Sequence, residues 1–452
     1  MANARSAKAD TTELLFSIGG VVGHLHIVGT AGELLADVRR RYAAFCLPCS
    51  PTVERAFSLR VALEPVPHAP ADPERAAAPP SIESSAQRVR IERLDFQASL
   101  ERTGVGAGFV GAGRCQASHV AFESLLRVLW SVFLPRAGGA LFHACGFRDG
   151  GRGILAPGRS GAGKTTLARK VQNPDDVLSD EVVAVHRGQD GRWRISGTPF
   201  FGELQRCAVS MQSWPLGGIA FLEKHPLVGS QPVPAGEAVL RTLECLLCFE
   251  VGPEIIQQNF ALAIALCSEV PAFLCKSRAD TPMAEVLREI RPRLRSRVTD
   301  LRPHNTREMV SALRAALERH GSYAFAPKGG SMRPWLRSGD ALFIEAVGDA
   351  ELRPGDIALY WRAGRSADRD ALICHRVVRR VKTPHGVRIY AKGDSLGGIE
   401  KFDNGKEAEV IGRVRGIYRE GKHRILPGPL GNLAILGASL LAMPLLRLLE
   451  RS

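Results

Sequence analysis

The sequence predicts several domains: an α+β region, then an α/β unit built around a P-loop, then a mostly β domain ending in an apolar helix. Three observations predict this. The chain has 452 residues, more than one hydrophobic core usually serves. A short apolar run, a glycine-rich loop and a helical pattern follow one another directly after Arg152. Beyond Gly329, short apolar runs alternate with turn residues, as they do in sheet-rich domains. An apolar share of 45% and a charged share of 23% exclude a disordered chain and one embedded wholly in a membrane.

The first region, 1–115, opens with strand-like runs at Leu14 to Ile18 and Leu25 to Val28, and a helical pattern covers Glu33 to Ala44. Strand character returns at Phe57 to Leu63 and Val89 to Phe96. Six prolines between Pro65 and Gln87 predict an exposed loop or linker over 65–87. Gly104 to Gly113 is expected to be a glycine-rich turn region. Ser118 has the chemistry of an N-cap for a helix through Leu134, with Val120, Leu125, Val128, Leu129 and Val132 on its apolar face and Pro135 at its end.

The second region, 116–291, carries Gly158-Arg-Ser-Gly-Ala-Gly163-Lys164-Thr165, which fits the GxxxxGK[ST] pattern between a strand and a helix. Backbone N–H groups of such a loop converge on phosphates, a lysine adds a point charge and the Thr165 hydroxyl can ligate magnesium. Gly158, Arg159, Ser160, Gly161, Ala162, Gly163, Lys164, Thr165 and Thr166 are therefore the candidate nucleotide-binding residues, with ATP and Mg2+ as the expected cofactors. Downstream, Asp180 and Glu181 precede the apolar run Val182 to Val185. One of the two carboxylates suits a metal and the other a proton.

This stretch resembles the HPr kinase/phosphorylase family, whose fold is that of phosphoenolpyruvate carboxykinases. Leu141-Phe-His143-Ala stands where that family has an active-site histidine, and Asp180-Glu181 where it has two aspartates; the likeness covers roughly Ala140 to Ile290. The resemblance implies an HPr kinase-like domain in which Asp180 is the general base, His143 lies beside it, and Thr165 and Glu203 approach the metal, with Glu181 as a further candidate ligand. It also implies self-assembly into an oligomer. Two departures, Glu181 for the second aspartate and Gly197-Thr-Pro-Phe-Phe-Gly-Glu203 for the family's signature segment, turn the expectation from HPr to a peptide or small-protein hydroxyl. Divergent relatives of this kind are encoded beside ribosomal-peptide maturation genes.

A basic connector, 292–322, leads to the third region, 323–425. There Gly329-Gly-Ser331-Met-Arg-Pro334, Arg353-Pro-Gly-Asp356, Cys374-His375-Arg376-Val-Val and Lys392-Gly-Asp394-Ser follow in order. These segments resemble the signal peptidase I family over about Gly329 to Ile417. His375 stands where bacterial members commonly have lysine, as in the archaeal and endoplasmic-reticulum branch. The resemblance implies a mostly β serine peptidase with Ser331 as nucleophile and His375 as base. An acid from Asp394, Asp403 or Glu400 would orient the imidazole.

Sixty Lys and Arg against 46 Asp and Glu give a formal charge of +14, which favours anionic partners. Few aromatics interleave the basic stretches, which argues against nucleic acid. The pairs Cys46/Cys49 and Cys245/Cys248 have metal-ligand spacing, but Cys245 and Cys248 sit in an apolar run, which favours ten free thiols in a reducing compartment. In the tail, 426–452, the apolar run 430–446 suits a helix lying on a membrane or docked on a partner, or a single span. Basic residues ahead of it would keep the domains cytoplasmic. The expected function is a kinase fused to a peptidase, acting on a peptide. The alternative is a nucleotide-regulated switch whose peptidase-like domain is inert or cleaves itself within Arg291 to Ser322.

Overall fold

The computed structural model describes residues 11–29, 32–50, 53–65, 79–104, 108–200, 202–204, 211–250, 253–295, 310, 314, 322–325, 331–337, 340–348, 351–362, 371–384, 386–396, 398–404, 408–419 and 422–426. The chain divides into two compact units. One comprises Met1–Val233, Arg241–Val251 and Val270–Val298, the other Pro234–Leu240, Gly252–Glu269 and Thr299–Ser452. Part of α4 (Ala235–Leu243) and the whole of α5 (Pro253–Glu269) belong to the second unit.

In the first unit, β1 (Thr11–Ile18), β2 (Val21–Val28), β3 (Cys46–Leu47), β4 (Phe57–Glu64), β5 (Ser81–Ser84), β6 (Arg88–Arg93), β7 (Phe96–Arg102) and β8 (Phe109–Gln116) make one sheet in the order β3-β1-β2-β4-β8-β7-β6-β5. Strands β2, β4 and β8 run parallel and the other pairs antiparallel. Helices α1 (Gly32–Tyr42) and α2 (His119–Arg136) supply Leu34, Val38, Leu125, Leu129 and Trp130 to the core with Phe16, Leu25, Phe57 and Leu59. Gly23 is required there, because a Cβ would lie 2.2 Å from the Phe57 ring.

Three expectations are corrected here. Gly111 and Gly113 lie inside β8, not in a turn; a Cβ on them would come 2.0 Å from the Ser99 carbonyl oxygen and 2.3 Å from that of Gln97. Glycine marks a close backbone approach here. Within 65–87, Ser81–Ser84 forms the edge strand β5. Val120, expected on the apolar helix face, is 75% exposed. Ser118 does cap α2, accepting from the Ala121 N–H at 3.2 Å.

The second sheet of this unit comprises β9 (Ala140–Asp149), β10 (Arg152–Pro157), β11 (Val177–Ser179), β12 (Val182–Arg187), β13 (Trp193–Ser196), β14 (Ser213–Lys224), β15 (Gly229–Pro232) and β16 (Ala272–Ser277). Strand β10 pairs antiparallel with β9 and parallel with β14, so β9, β12, β13, β14 and β10 close into a circuit. Gly153 makes this possible, since a Cβ there would stand 2.0 Å from Ile195 Cγ2. Strand β16 runs parallel to β14, so β10, β14 and β16 point their C-terminal ends the same way. Helix α3 (Lys164–Lys170) follows β10, and α6 (Met283–Ile290) buries Met283, Val286 and Ile290.

The second unit holds an antiparallel sheet of β17 (Ser322–Phe325), β18 (Ala341–Glu345), β19 (Ile357–Arg362), β20 (Ala371–Thr383), β21 (Gly386–Lys392), β22 (Glu400–Asp403), β23 (Ala408–Arg419) and β24 (Lys422–Ile425). Alternation along β19 sends Ile357 and Leu359 into one core and Ala358 and Tyr360 into another, as the two-residue period of a strand requires. Among the described residues no helix is long and apolar enough to cross a membrane. The run 430–446 and most of the connector lie outside the described residues.

Candidate functional site

The first site forms at the C-terminal ends of β10, β14 and β16, where ligands of open parallel sheets characteristically sit. After Pro157 the chain turns through Gly161 (φ 79°) and Gly163 (φ 101°) into α3. Both glycines occupy left-handed backbone that other residues rarely adopt. Lys164 is 7% exposed and its ammonium donates to the carbonyls of Gly158 at 2.8 Å and Arg159 at 2.9 Å. Burial lowers its pKa, with Glu181 and Asp180 among the groups that oppose the shift.

Strand β9 presents His143 next to this loop. The Gly158 N–H donates to the His143 carbonyl at 3.3 Å, and the Ala144 N–H to that of Glu181 at 3.0 Å. Burial lowers the His143 pKa, the Lys164 charge lowers it further, and Glu181 acts against both. Asp180 is 3% exposed and accepts the backbone N–H groups of Gly202 at 3.2 Å and Leu204 at 3.1 Å. Gly202 has no side chain for a reason: a Cβ would stand 2.5 Å from both carboxylate oxygens.

Lys164, His143, Asp180 and Glu181 are thus brought together. Glu203 is not; its carboxylate faces Arg169 at 3.5 Å, and both side chains are exposed. Glu181 pairs with Arg127 of α2 at 3.4 Å, and Arg127 holds Glu123 at 2.7 Å. Arg127 escaped sequence reasoning because its link to Glu181 crosses 54 residues.

Two cavities flank this cluster. One, of about 380 Å³, lies against Gly163, Thr166 and Leu167 and the ends of β14 and β16 at His225 and Arg278. The other, of about 760 Å³, is polar, lined by Asp37, Arg41, Glu123, Arg127 and Gly202 among others. It adjoins Asp180 through Gly202.

The second site is built in the antiparallel sheet. Ser331 Oγ lies 3.1 Å from Nε2 of His375 on β20. The Ser331 carbonyl accepts the Ser395 N–H at 2.9 Å, and a Cβ at Gly393 would lie 2.7 Å from that oxygen. The Lys-Gly-Asp-Ser segment therefore packs on the backbone of Ser331. His375 is 4% exposed; burial lowers its pKa, Glu400 raises it and Arg362 lowers it.

Neither Asp394 nor Asp403 reaches this imidazole. Asp394 forms a two-fold ion pair with Arg376, and Asp403 a two-fold pair with Arg388. The acid facing His375 is Glu400, with Oε1 3.8 Å from Nδ1. Tyr360 connects them: its hydroxyl lies 3.2 Å from Nδ1 and donates to Glu400 at 3.1 Å, while Arg362 holds the same carboxylate at 2.9 Å. Burial and Glu400 drive the Tyr360 pKa far upward, so its proton stays in place. Sequence reasoning passed over Tyr360 and Arg362, although strand alternation from Ala358 was the available signal.

Residues 116–281 match the family model of the SynChlorMet cassette protein ScmC. No curated protein matches the chain. The matched stretch contains His143, the loop Gly158 to Thr165 and Asp180-Glu181, so the likeness covers the first site. Among the described residues, neither Cys46/Cys49 nor Cys245/Cys248 gathers with further metal-binding groups.

Proposed function

We propose that the protein is a bifunctional processing enzyme in which an ATP-dependent kinase, HPr kinase-like, is joined to a serine peptidase of the signal peptidase I type. Its substrate is a peptide or small protein. One observation carries this reading: a glycine-turned loop around a buried Lys164 and a serine 3.1 Å from a buried imidazole are built into one chain.

The residues of the first site fit a nucleoside triphosphate. Gly161 and Gly163 turn the loop with open space where a Cβ would stand, and Lys164 supplies the charge beside it. Gly158 to Thr166 would hold the phosphates, and Thr165 with Glu181 would hold Mg2+, which supplies charge neutralisation when bound. Asp180 keeps lone-pair capacity on each oxygen beyond its single N–H bond. It accepts the proton of the substrate hydroxyl as that oxygen is phosphorylated. The polar cavity beside Gly202 supports entry of the acceptor from the side of Arg127.

At the second site His375 takes the Ser331 proton through Nε2 as the oxygen attacks a peptide carbonyl, then gives it to the leaving amine. Tyr360 and Glu400 hold the ring and stabilise the imidazolium. Both sites are cytoplasmic in this reading, with 430–446 as a contact to the inner membrane. The test incubates the purified chain with labelled ATP and small peptides encoded beside its gene. Lys164→Ala should abolish phosphate transfer alone, and Ser331→Ala cleavage alone; two inactive wild-type domains would sink the proposal.

A further inference from the structure

Strands β1 and β2 set one carboxylate and two imidazoles on the same face of the first sheet. Register places Glu13 opposite His26 and Leu15 opposite His24, and residues two apart on a strand share a face. Glu13, His24 and His26 therefore project away from the face whose Leu14, Phe16, Leu25 and Ile27 enter the core. His24 is 3% exposed; its Nδ1 makes no hydrogen bond, and its Nε2 has only the Glu13 carboxylate, 3.5 Å away. A buried polar group in that state is destabilising unless something else binds it.

We propose that Glu13, His24 and His26 bind a divalent transition-metal ion of the zinc class. Two imidazole nitrogens and a carboxylate oxygen are a donor set that such ions favour. Glu13 Oε2 stands 3.5 Å from His24 Nε2, and Oε1 of the same carboxylate 3.3 Å from His26 Nδ1. Donors bonded at about 2.0–2.1 Å to a tetrahedral ion stand about 3.3–3.4 Å apart. All three ligand atoms already lie within 4.8 Å of one another, and the two less buried residues can close the remaining gap by rotating side chains. The ion would take up the lone pair that His24 leaves unused.

Arg55 lies close enough for its charge to act on His24 and opposes a cation there, and the Glu13 carboxylate offsets it. Three protein ligands leave a fourth position, on the side where Glu13 and His26 are partly exposed, for water or a small anion. The site shares no residue with Lys164 and Asp180 or with Ser331 and His375.

The full chain, stripped with a chelator and kept reduced, would be titrated with Zn2+ by calorimetry and with Co2+ by visible absorption. The expected result is a single equivalent bound, with cobalt bands of a nitrogen and oxygen site and no thiolate charge-transfer band. Affinity should fall by more than about tenfold in both His26→Ala and Glu13→Gln, since even outer-shell changes cost a metal site that much. Unchanged circular dichroism and melting of the metal-free variants establish that they fold, and Lys164→Ala should bind Zn2+ as the wild type does. A thiolate band, or equal affinity in the wild type and His26→Ala, would overturn the site.

Discussion

Asp394 is held by Arg376 in a two-fold ion pair of 2.9 and 2.7 Å, with both side chains 2% exposed. Arg376 also donates to the Gly355 carbonyl at 2.8 Å, tying β20 to the turn before β19. The carboxylate is thus structural. Removing one partner of such a pair strands the other charge in the core and costs about 3–5 kcal/mol. Asp394→Ala should lose that much stability, measured by denaturant unfolding of the whole chain. A variant as stable as the wild type would contradict the role.

Sequence made local motifs visible and hid partnerships made by folding. The loop Gly158 to Thr165 and the order of Ser331, His375 and Asp394 are contiguous patterns, and β19 to β21 follow from simple alternation. The acid for His375 was left open because the connection runs through Tyr360, whose role depends on the β19 to β20 register of Ala358 opposite His375. Gly111 and Gly113 look like turn residues until β7 lies beside them. Val120 looks helical in spacing, but in the first turn of α2 its neighbours Ala121 and Phe122 take the buried positions. His24-Leu-His26 carried a signal, two histidines one strand period apart, that becomes meaningful only when β1 brings Glu13 alongside.

If the first site is a kinase as proposed, Gly202 offers a way to separate base chemistry from nucleotide binding. A methyl group there would stand 2.5 Å from both Asp180 oxygens, and the buried carboxylate must move. Displacement of a catalytic group by about 1 Å can cost about 100-fold in rate. Gly202→Ala should lose phosphate transfer by that order while binding ATP as the wild type does, checked by transfer assay and calorimetry side by side. Transfer at the wild-type rate would show that Asp180 is not the base.

Nucleotide binding should also appear as stability. At a free concentration about 100 times its Kd, a ligand adds about 2.7 kcal/mol to the state that binds it. Mg2+ with ATP should raise the melting temperature of the wild type and of Ser331→Ala equally, and leave Lys164→Ala where it was. Scanning calorimetry reads this without any acceptor peptide. An equal rise in Lys164→Ala would place the nucleotide elsewhere.

The reactivity of Ser331 should follow the protonation of His375, because only the neutral ring accepts the serine proton. Burial lowers the His375 pKa from 6.5. Labelling of Ser331 by a fluorophosphonate should therefore rise with pH below that value and be flat above it. Glu400 raises the pKa, so Glu400→Gln should move the rise to still lower pH. The same change should reduce the plateau, by less than the roughly 10⁴-fold that losing a directly bonded acid costs a triad, since Tyr360 still meets Nδ1. Asp403→Asn should change neither limb nor plateau, because that carboxylate is engaged by Arg388. Rates of labelling across pH for the three proteins decide it: a profile that follows Asp403 and ignores Glu400 would remove Glu400 from the site.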